Sequence, residues 1–311
     1  VNSRTADGFR ETDWSNADEM GLAMRLVSHQ TDHQFADALG HFTRDGKGSL
    51  MDQAAARYAA ELLWKTWSKE ELIDTLPETM RPTTRADGYA IQAAIADVSG
   101  QATVGWKIAA TSKAGQAHLQ VDGPLAGRLL ASRVHREGAG IPFGNNHMRV
   151  AEAEFCFRMA RDLIARTEPY SQEEVLSAVA SLHPAIEIPD SRYSNFCIVG
   201  SPQLIADNAC AHYFVVGSAE TIDWRSLDLA QHVVKVTLNG IPDREGIGAN
   251  VLGDPRIALT WLANELRSHG LDLQAGHIVT TGTSVVPIPI AKGSRLVADF
   301  GCLGTVKTEL I

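Results

Sequence analysis

The 311-residue sequence is poor in several features, and each shortage removes a class of function. It holds four cysteines (Cys156, Cys197, Cys210 and Cys302), and no two of them form a CxxC pair. No disulfide or thiolate framework can be read from them, so buried free thiols in a reducing cytoplasm are expected. No apolar run approaches the ~18 residues a membrane-spanning helix requires. The N-terminus lacks a basic stretch followed by an apolar one, so it does not read as a secretory signal. Basic residues are also scarce: 28 against 37 acidic, for a net charge of −9. That balance argues against a nucleic-acid surface and against a polybasic membrane patch. An acidic protein acting on an anionic substrate needs local positive charge, and a divalent cation would supply it.

What is present is a 44% hydrophobic composition, enough for a sizeable core. Residues 1–50 stand apart. A polar start gives way to a helical pattern through Met20, Leu26, Phe35 and Leu39, which breaks at Arg44-Asp45-Gly46-Lys47-Gly48-Ser49. Two readings stay open for this part: an appended helical extension, or an ordinary N-terminal helix packed on the body. Patterning then predicts helices over Met51–Trp67, from Ser68, and over Thr84–Ser99, making residues 51–100 a helical region. After residue 100 the chain is strand-rich. Strands are expected at Val104–Ala109, 150–159, 183–188, His212–Val216 and His232–Leu238, with a helix over Ser171–Leu182 and another over Arg256–His269. Asn239-Gly240 is a hairpin signal, and Asp254-Pro255 opens the last helix. The alternation is not βαβ, so residues 101–311 are expected to form an α+β catalytic domain rather than a doubly wound sheet.

The most informative stretch is Val150-Ala151-Glu152-Ala153-Glu154-Phe155-Cys156-Phe157. Side chains two apart on a strand share a face. Glu152 and Glu154 therefore project together, while Ala153, Phe155 and Phe157 turn to a core. Glu187 sits in an apolar Ala-Ile-Glu-Ile setting, where an unpaired charge is costly. Three convergent carboxylates without thiolates or paired histidines suit a hard divalent ion, Mg2+ or Mn2+. Spacing alone leaves this evenly balanced against a solvated strand face. Lys107, in Gly105-Trp106-Lys107-Ile108, is either a snorkelling lysine or an anion partner and proton-transfer group. Asp190 and Arg192 follow Glu187 closely enough to brace it with a salt bridge. Gly248–Pro255 is a glycine-bounded loop leading into a helix, and Thr280-Thr281-Gly282-Thr283-Ser284 offers hydroxyls and backbone NH groups at a strand end.

Seven segments in order resemble the fumarylacetoacetate hydrolase superfamily, in its 2-oxopent-4-enoate (2-hydroxypenta-2,4-dienoate) hydratase and 4-oxalocrotonate decarboxylase branch. They are Gly-x-Lys-Ile at 105–108, Val-Ala-Glu-Ala-Glu-Phe at 150–155, Pro-Ala-Ile-Glu-Ile-x-Asp-Ser-Arg at 184–192 and Ala-Asp-Asn-Ala at 206–209. Gly-Ala-Asn-Val-Leu-Gly-Asp-Pro at 248–255, Thr-Thr-Gly-Thr at 280–283 and Ala-Asp-Phe-Gly-x-Leu-Gly at 298–304 complete the set. The resemblance runs from about residue 51 to Ile311.

The resemblance implies a mixed β-roll, barrel-like domain of the superfamily's C-terminal type. It makes Glu152, Glu154 and Glu187 the ligands of Mg2+ or Mn2+, and Lys107 the active-site lysine. Asp122 falls where the family carries an acid on the lid-side loop, although Val121-Asp122-Gly123-Pro124 departs from the usual wording there, as does Ala109 where the family has glycine. Asn250, Gly282 and Thr283 are expected to bind substrate, with Asp190 and Arg192 bracing the site. Burial and a nearby cation are expected to depress the Lys107 pKa. The implied reaction is hydration of a small unsaturated 2-oxo or 2-hydroxy acid. Three alternatives stay open: 4-oxalocrotonate decarboxylation, acylpyruvate C–C hydrolysis with His135 in the required His–acid pair, and a non-catalytic partner subunit. A cytoplasmic homo-oligomer, associating with a pathway partner enzyme, is the expected setting.

Overall fold

A computed structural model of the chain describes residues 51–311; the extension expected over residues 1–50 lies outside them. Helix α1 (Gln53–Ser68) starts where the Asp52 carboxylate accepts the Ala54 N–H. Helix α2 (Arg85–Ser99) starts with a capping box between Thr84 and Asp87 and ends at Gly100, whose φ of 66° only glycine adopts freely. Leu63, Ala59 and Ala60 of α1 pack with Ile91 and Ile95 of α2, around the fully buried Tyr193. The helix expected from Ser68 does not form. Lys69 donates back to the Lys65 carbonyl, Glu70 takes a left-handed φ of 54°, and Ile73 bridges to Tyr193. The segment is thus the end of α1 turning into an extended run.

The strands are β1 (Thr103–Ala109), β2 (Leu125–Leu130), β3 (Val134–Arg136), β4 (Gly140–Ile141), β5 (Val150–Met159), β6 (Val179–Ile188) and β7 (Tyr213–Val216). They continue with β8 (Val233–Leu238), β9 (Ile241–Ile247), β10 (Ile278–Thr283), β11 (Ile288–Pro289), β12 (Arg295–Asp299) and β13 (Thr305–Leu310). Helices α3 (Lys113–Leu119), α4 (Gln172–Ser177), α5 (Ser201–Ala206) and α6 (Pro255–Ser268) fill the connections. One sheet runs β2-β1-β10-β5-β6-β7-β3, with β11 added to β5, and a second runs β4-β13-β12-β8-β9. Both are mixed: β1 pairs parallel to β10 and β4 parallel to β13, amid antiparallel neighbours. This is the expected α+β class.

The alternation on β5 holds. Ala151, Ala153, Phe155 and Phe157 enter the main core with Trp106, Val279 and Ile186, and Phe155 meets Phe300 edge-on at 5.1 Å. Glu154 and Cys156 are buried on the other face. The helix expected over Ser171–Leu182 stops at Ser177 because β5 continues to Met159. Its ladder claims Leu182 opposite Phe157 and Val179 opposite Met159, and pairing overrides local helical spacing. The β8–β9 hairpin turns at Asn239 and Gly240, both at positive φ (55° and 80°), as a two-residue primed turn requires. Cys156 and Cys210 are buried, but Cys197 is half-buried and Cys302 exposed. No described helix is long and apolar enough to cross a membrane.

Candidate metal centre and active site

The strand register assembles the site. Glu152 on β5 lies opposite Glu187 on β6, with Glu154 opposite Ala185. Lys107 on β1 pairs with Thr280 on β10, which pairs in turn with Cys156 on β5. These residues share one sheet face, opposite the Trp106–Phe157 core. One carboxylate oxygen from each of Glu152, Glu154 and Glu187 lies within 4.8 Å of the others. Glu154 and Glu187 are fully buried, and Glu152 keeps partial exposure. Lys107 Nζ approaches Glu187 Oε1 at 2.8 Å and donates to the Ala209 carbonyl at 3.0 Å. The contact with Glu187 is one of charge without hydrogen-bond alignment, because neither Glu187 oxygen has a hydrogen-bond partner; Glu154 Oε1 also lacks one.

The electrostatics follow from that crowding. Burial, then the charges of Glu187 and Glu152, push the Glu154 carboxyl well above its ordinary range. Burial and Glu187 likewise raise Glu152, to about 7. Burial alone would lower the Lys107 ammonium, but Glu187, Glu152 and Glu154 together outweigh it and hold the lysine above its usual range. The expected depression is thus reversed, because three carboxylates surround the amine. With all three carboxylates ionised, three negative charges face one positive and two are left uncompensated, which is why protons are held there when no cation is bound. With buried oxygens lacking hydrogen bonds, this donor set fits a hard divalent cation.

The strand ends hold Glu154 in place. Gly282, at φ 97°, donates its N–H to Glu154 Oε2 at 2.9 Å. A Cβ at Gly282 would lie 2.0 Å from Thr111 Oγ1, and the Thr111 carbonyl accepts the Leu252 N–H. Thr283 lies opposite Glu154, its hydroxyl donating to the Val285 carbonyl at 2.7 Å. Asn250 Nδ2 donates to the Ser284 carbonyl at 2.7 Å, tying its loop to the same segment. Gly282→Ala is therefore expected to weaken Mg2+ binding by about 10- to 100-fold through Glu154. Calorimetric titration beside a melting curve checks it, and unchanged affinity would refute the link.

Lys107 owes its carbonyl partner to a strained turn. Asn208, Ala209 and Cys210 all take left-handed φ values (57°, 51° and 61°), each costing roughly 1–2 kcal/mol for a residue with a Cβ. A buried network holds them. Asp207 pairs closely with Arg192 and accepts from Ser191 Oγ, while Asn208 exchanges hydrogen bonds with the Arg128 backbone. Gly127 admits the turn, since a Cβ there would lie 2.2 Å from the Asn208 carbonyl oxygen. Asp207, Ala209 and Gly127 support the position of Lys107, a part that the residue pattern does not reveal. Ala-Asp-Asn-Ala at 206–209 was the available signal, but a backbone carbonyl acceptor leaves no trace in residue type.

Other expectations are redistributed. The salt bridge of Arg192 is to Asp207, not Asp190, because the chain turns the guanidinium inward, where it also binds the Ala211 carbonyl. Asp190 instead accepts the His147 and Met148 N–H groups (2.8 and 3.1 Å), fixing the turn that leads into β5. Asp122 lies on an exposed bend between α3 and β2 and makes no hydrogen bond or ion pair with the cluster; its charge is felt by Arg85. His135 stands on β3, at the sheet edge beyond β7, packed on Tyr213. Its Nε2 has no partner, so no His–acid pair forms there among the described residues.

Comparison with known proteins places this geometry among relatives. No family model matches the chain. The 2-hydroxyhexa-2,4-dienoate hydratase of Comamonas testosteroni is 34% identical over 216 residues, covering 68% of this chain and 80% of its own. A 2-keto-4-pentenoate hydratase of Paraburkholderia xenovorans (strain LB400) is 33% identical over 254 residues, covering 81% of this chain and 93% of its own. Among solved structures, 4-oxalocrotonate decarboxylase from Pseudomonas putida G7, complexed with magnesium and adipate, superposes with a TM-score of 0.75. It is 26% identical, over 84% of this chain and 98% of that one.

Proposed function

This chain belongs to the hydratase branch of the fumarylacetoacetate hydrolase superfamily, and from that premise we propose that it is a divalent-metal-dependent hydro-lyase acting on a small unsaturated 2-oxo or 2-hydroxy acid. The reaction proposed is hydration of 2-hydroxypenta-2,4-dienoate to 4-hydroxy-2-oxopentanoate. The observation that carries it is the buried cluster of Glu152, Glu154, Glu187 and Lys107, two charges short of neutrality and with carboxylate oxygens left unpaired. Glu152, Glu154 and Glu187 would hold the cation, Mg2+ or Mn2+. When bound, it supplies Lewis-acid stabilisation of the negative charge that develops on the substrate's C2 oxygen.

The protein's own groups do the rest. Lys107 is held as an ammonium, so it can give a proton to the substrate, and the Ala209 carbonyl fixes the direction of its Nζ. Asp122 keeps the role of partner acid or base only on the family resemblance, since it stands on an exposed bend apart from the cluster. Thr283 and the backbone near Gly282 receive the substrate carboxylate, and Asn250 steadies that segment through Ser284. Asp190 and Arg192 act at one remove, by fixing the turns that carry Glu152 and Ala209.

Decarboxylation of an oxalocrotonate-like acid is the second reading, favoured by the likeness to the decarboxylase structure. One experiment separates the two. With Mg2+ present, loss of dienol absorbance from 2-hydroxypenta-2,4-dienoate is followed beside CO2 release from oxalocrotonate. Dienol consumption to the hydroxy-oxo acid without CO2 release is the expected result. Comparable CO2 release would reassign the chain to the decarboxylases, and neither reaction would sink the lyase reading.

A further inference from the structure

Thr280 stands out on the site face. It is fully buried, paired across the sheet with Lys107 on one side and Cys156 on the other, yet its hydroxyl has no hydrogen-bond partner among the described residues. Its neighbour Thr281, on the opposite face, does use its hydroxyl, donating to the Phe155 carbonyl at 3.0 Å. A buried hydroxyl left unpaired is disfavoured against valine, which has the same shape and no polar atom. Thr280 also marks a border. On one side lie Cys156, Ala185, Phe214 and Ile278, an apolar layer; on the other lie Lys107, Glu154 and Glu187. Adjacent strands are about 4.8 Å apart, so the Thr280 hydroxyl and the Lys107 side chain rise from neighbouring points.

A hydroxyl both donates and accepts, and an ammonium has three protons, of which Lys107 gives one to Ala209. A water molecule needs two to four polar partners, and these two groups supply the first pair. We propose that Thr280 positions the water that the reaction adds, holding it beside Lys107. The inference rests on the hydratase reading above. In the step it serves, the water oxygen bonds C4 of the 2-oxo-3-ene, and the C3=C4 electron pair shifts toward the C2 oxygen. The proton lost by the water is balanced by one delivered to C3. Nothing is oxidised or reduced.

The test separates water addition from ketonisation, which consumes no water. Wild type, Thr280→Val and Thr280→Ser are loaded with Mg2+ and given 2-hydroxypenta-2,4-dienoate in D2O. Ketonisation to the 2-oxo-3-ene is read by NMR as deuterium entering C5, and hydration as 4-hydroxy-2-oxopentanoate formed, with its deuterium at C3 left out of the comparison. In Thr280→Val, hydration should fall about a hundredfold while deuterium entry stays within about twofold of wild type, with the melting temperature unchanged or higher. Thr280→Ser should restore most of the hydration. A parallel fall of both readouts, or no change in either, overturns the proposal. Ketonisation without hydration in the wild type would instead overturn the hydratase reading on which it rests.

Discussion

Replacing Glu154 with Gln is expected to remove metal-dependent turnover while leaving the fold intact, lowering kcat/KM by about a thousandfold, or ~4 kcal/mol of transition-state stabilisation. The reason lies in how Glu154 is held. It is buried, one oxygen takes the Gly282 N–H, and the other faces the cluster without a partner. Gln keeps the shape but removes the charge that would make the group a ligand. Saturating Mg2+, at about a hundred times its Kd, should stabilise the wild type by ~2.7 kcal/mol and the variant by almost nothing. The direction of the pH dependence follows from the raised carboxyls. A group whose pKa is raised on folding contributes stability below its unfolded value, near 4.5, and loses it as pH climbs through the folded value, about 7 for Glu152. The metal-free protein should therefore weaken as pH rises through this range. Because the cation must displace protons, its affinity should tighten over the same range. Calorimetry in buffers of different ionisation enthalpy would count the protons released. Affinity that stays flat across those pH values would contradict the buried-triad account.

The carboxylate triad could be read from the sequence because two of its members lie two residues apart on a strand with an apolar opposite face. That geometry is local and survives in the letters. The third member, Glu187, announced itself by its apolar neighbours, since a lone charge in such a run demands a partner. Legibility ended where function depends on the backbone. Ala209 offers its carbonyl and Gly127 the absence of a side chain, and both depend on a left-handed turn over residues 208–210 that only Asn208 among the three favours. The sequence places Arg192 with Asp190 as a brace beside Glu187, whereas burial gives its guanidinium to Asp207, fifteen positions along the chain. The helix expected past Ser177 failed for a similar reason: its spacing was helical, but the long β5 ladder had a use for Val179–Leu182 as a strand. Local pattern identified the elements that face one neighbour, and long-range pairing decided the rest.

Lys107→Met should separate the two halves of the cluster. Turnover is expected to fall by about 10^2- to 10^4-fold, the range for loss of a positioned proton donor. Removing one side of a buried ion pair typically costs about 3–5 kcal/mol, and here it leaves the carboxylates with no internal counter-charge. That loss should appear in the metal-free protein and shrink once Mg2+ is added, because the cation then supplies the missing positive charge. Metal affinity should hold or increase, since an ammonium 2.8 Å from a ligand oxygen repels an incoming cation. The two variants therefore move in opposite directions on one axis. Glu154→Gln loses the metal and with it the reaction, whereas Lys107→Met keeps the metal and still loses the reaction. Chemical denaturation with and without Mg2+, beside a binding isotherm for each variant, would show this crossing. If affinity collapsed in Lys107→Met together with turnover, the lysine would be a strut for Glu187 and the proton donor would have to be sought elsewhere on the face.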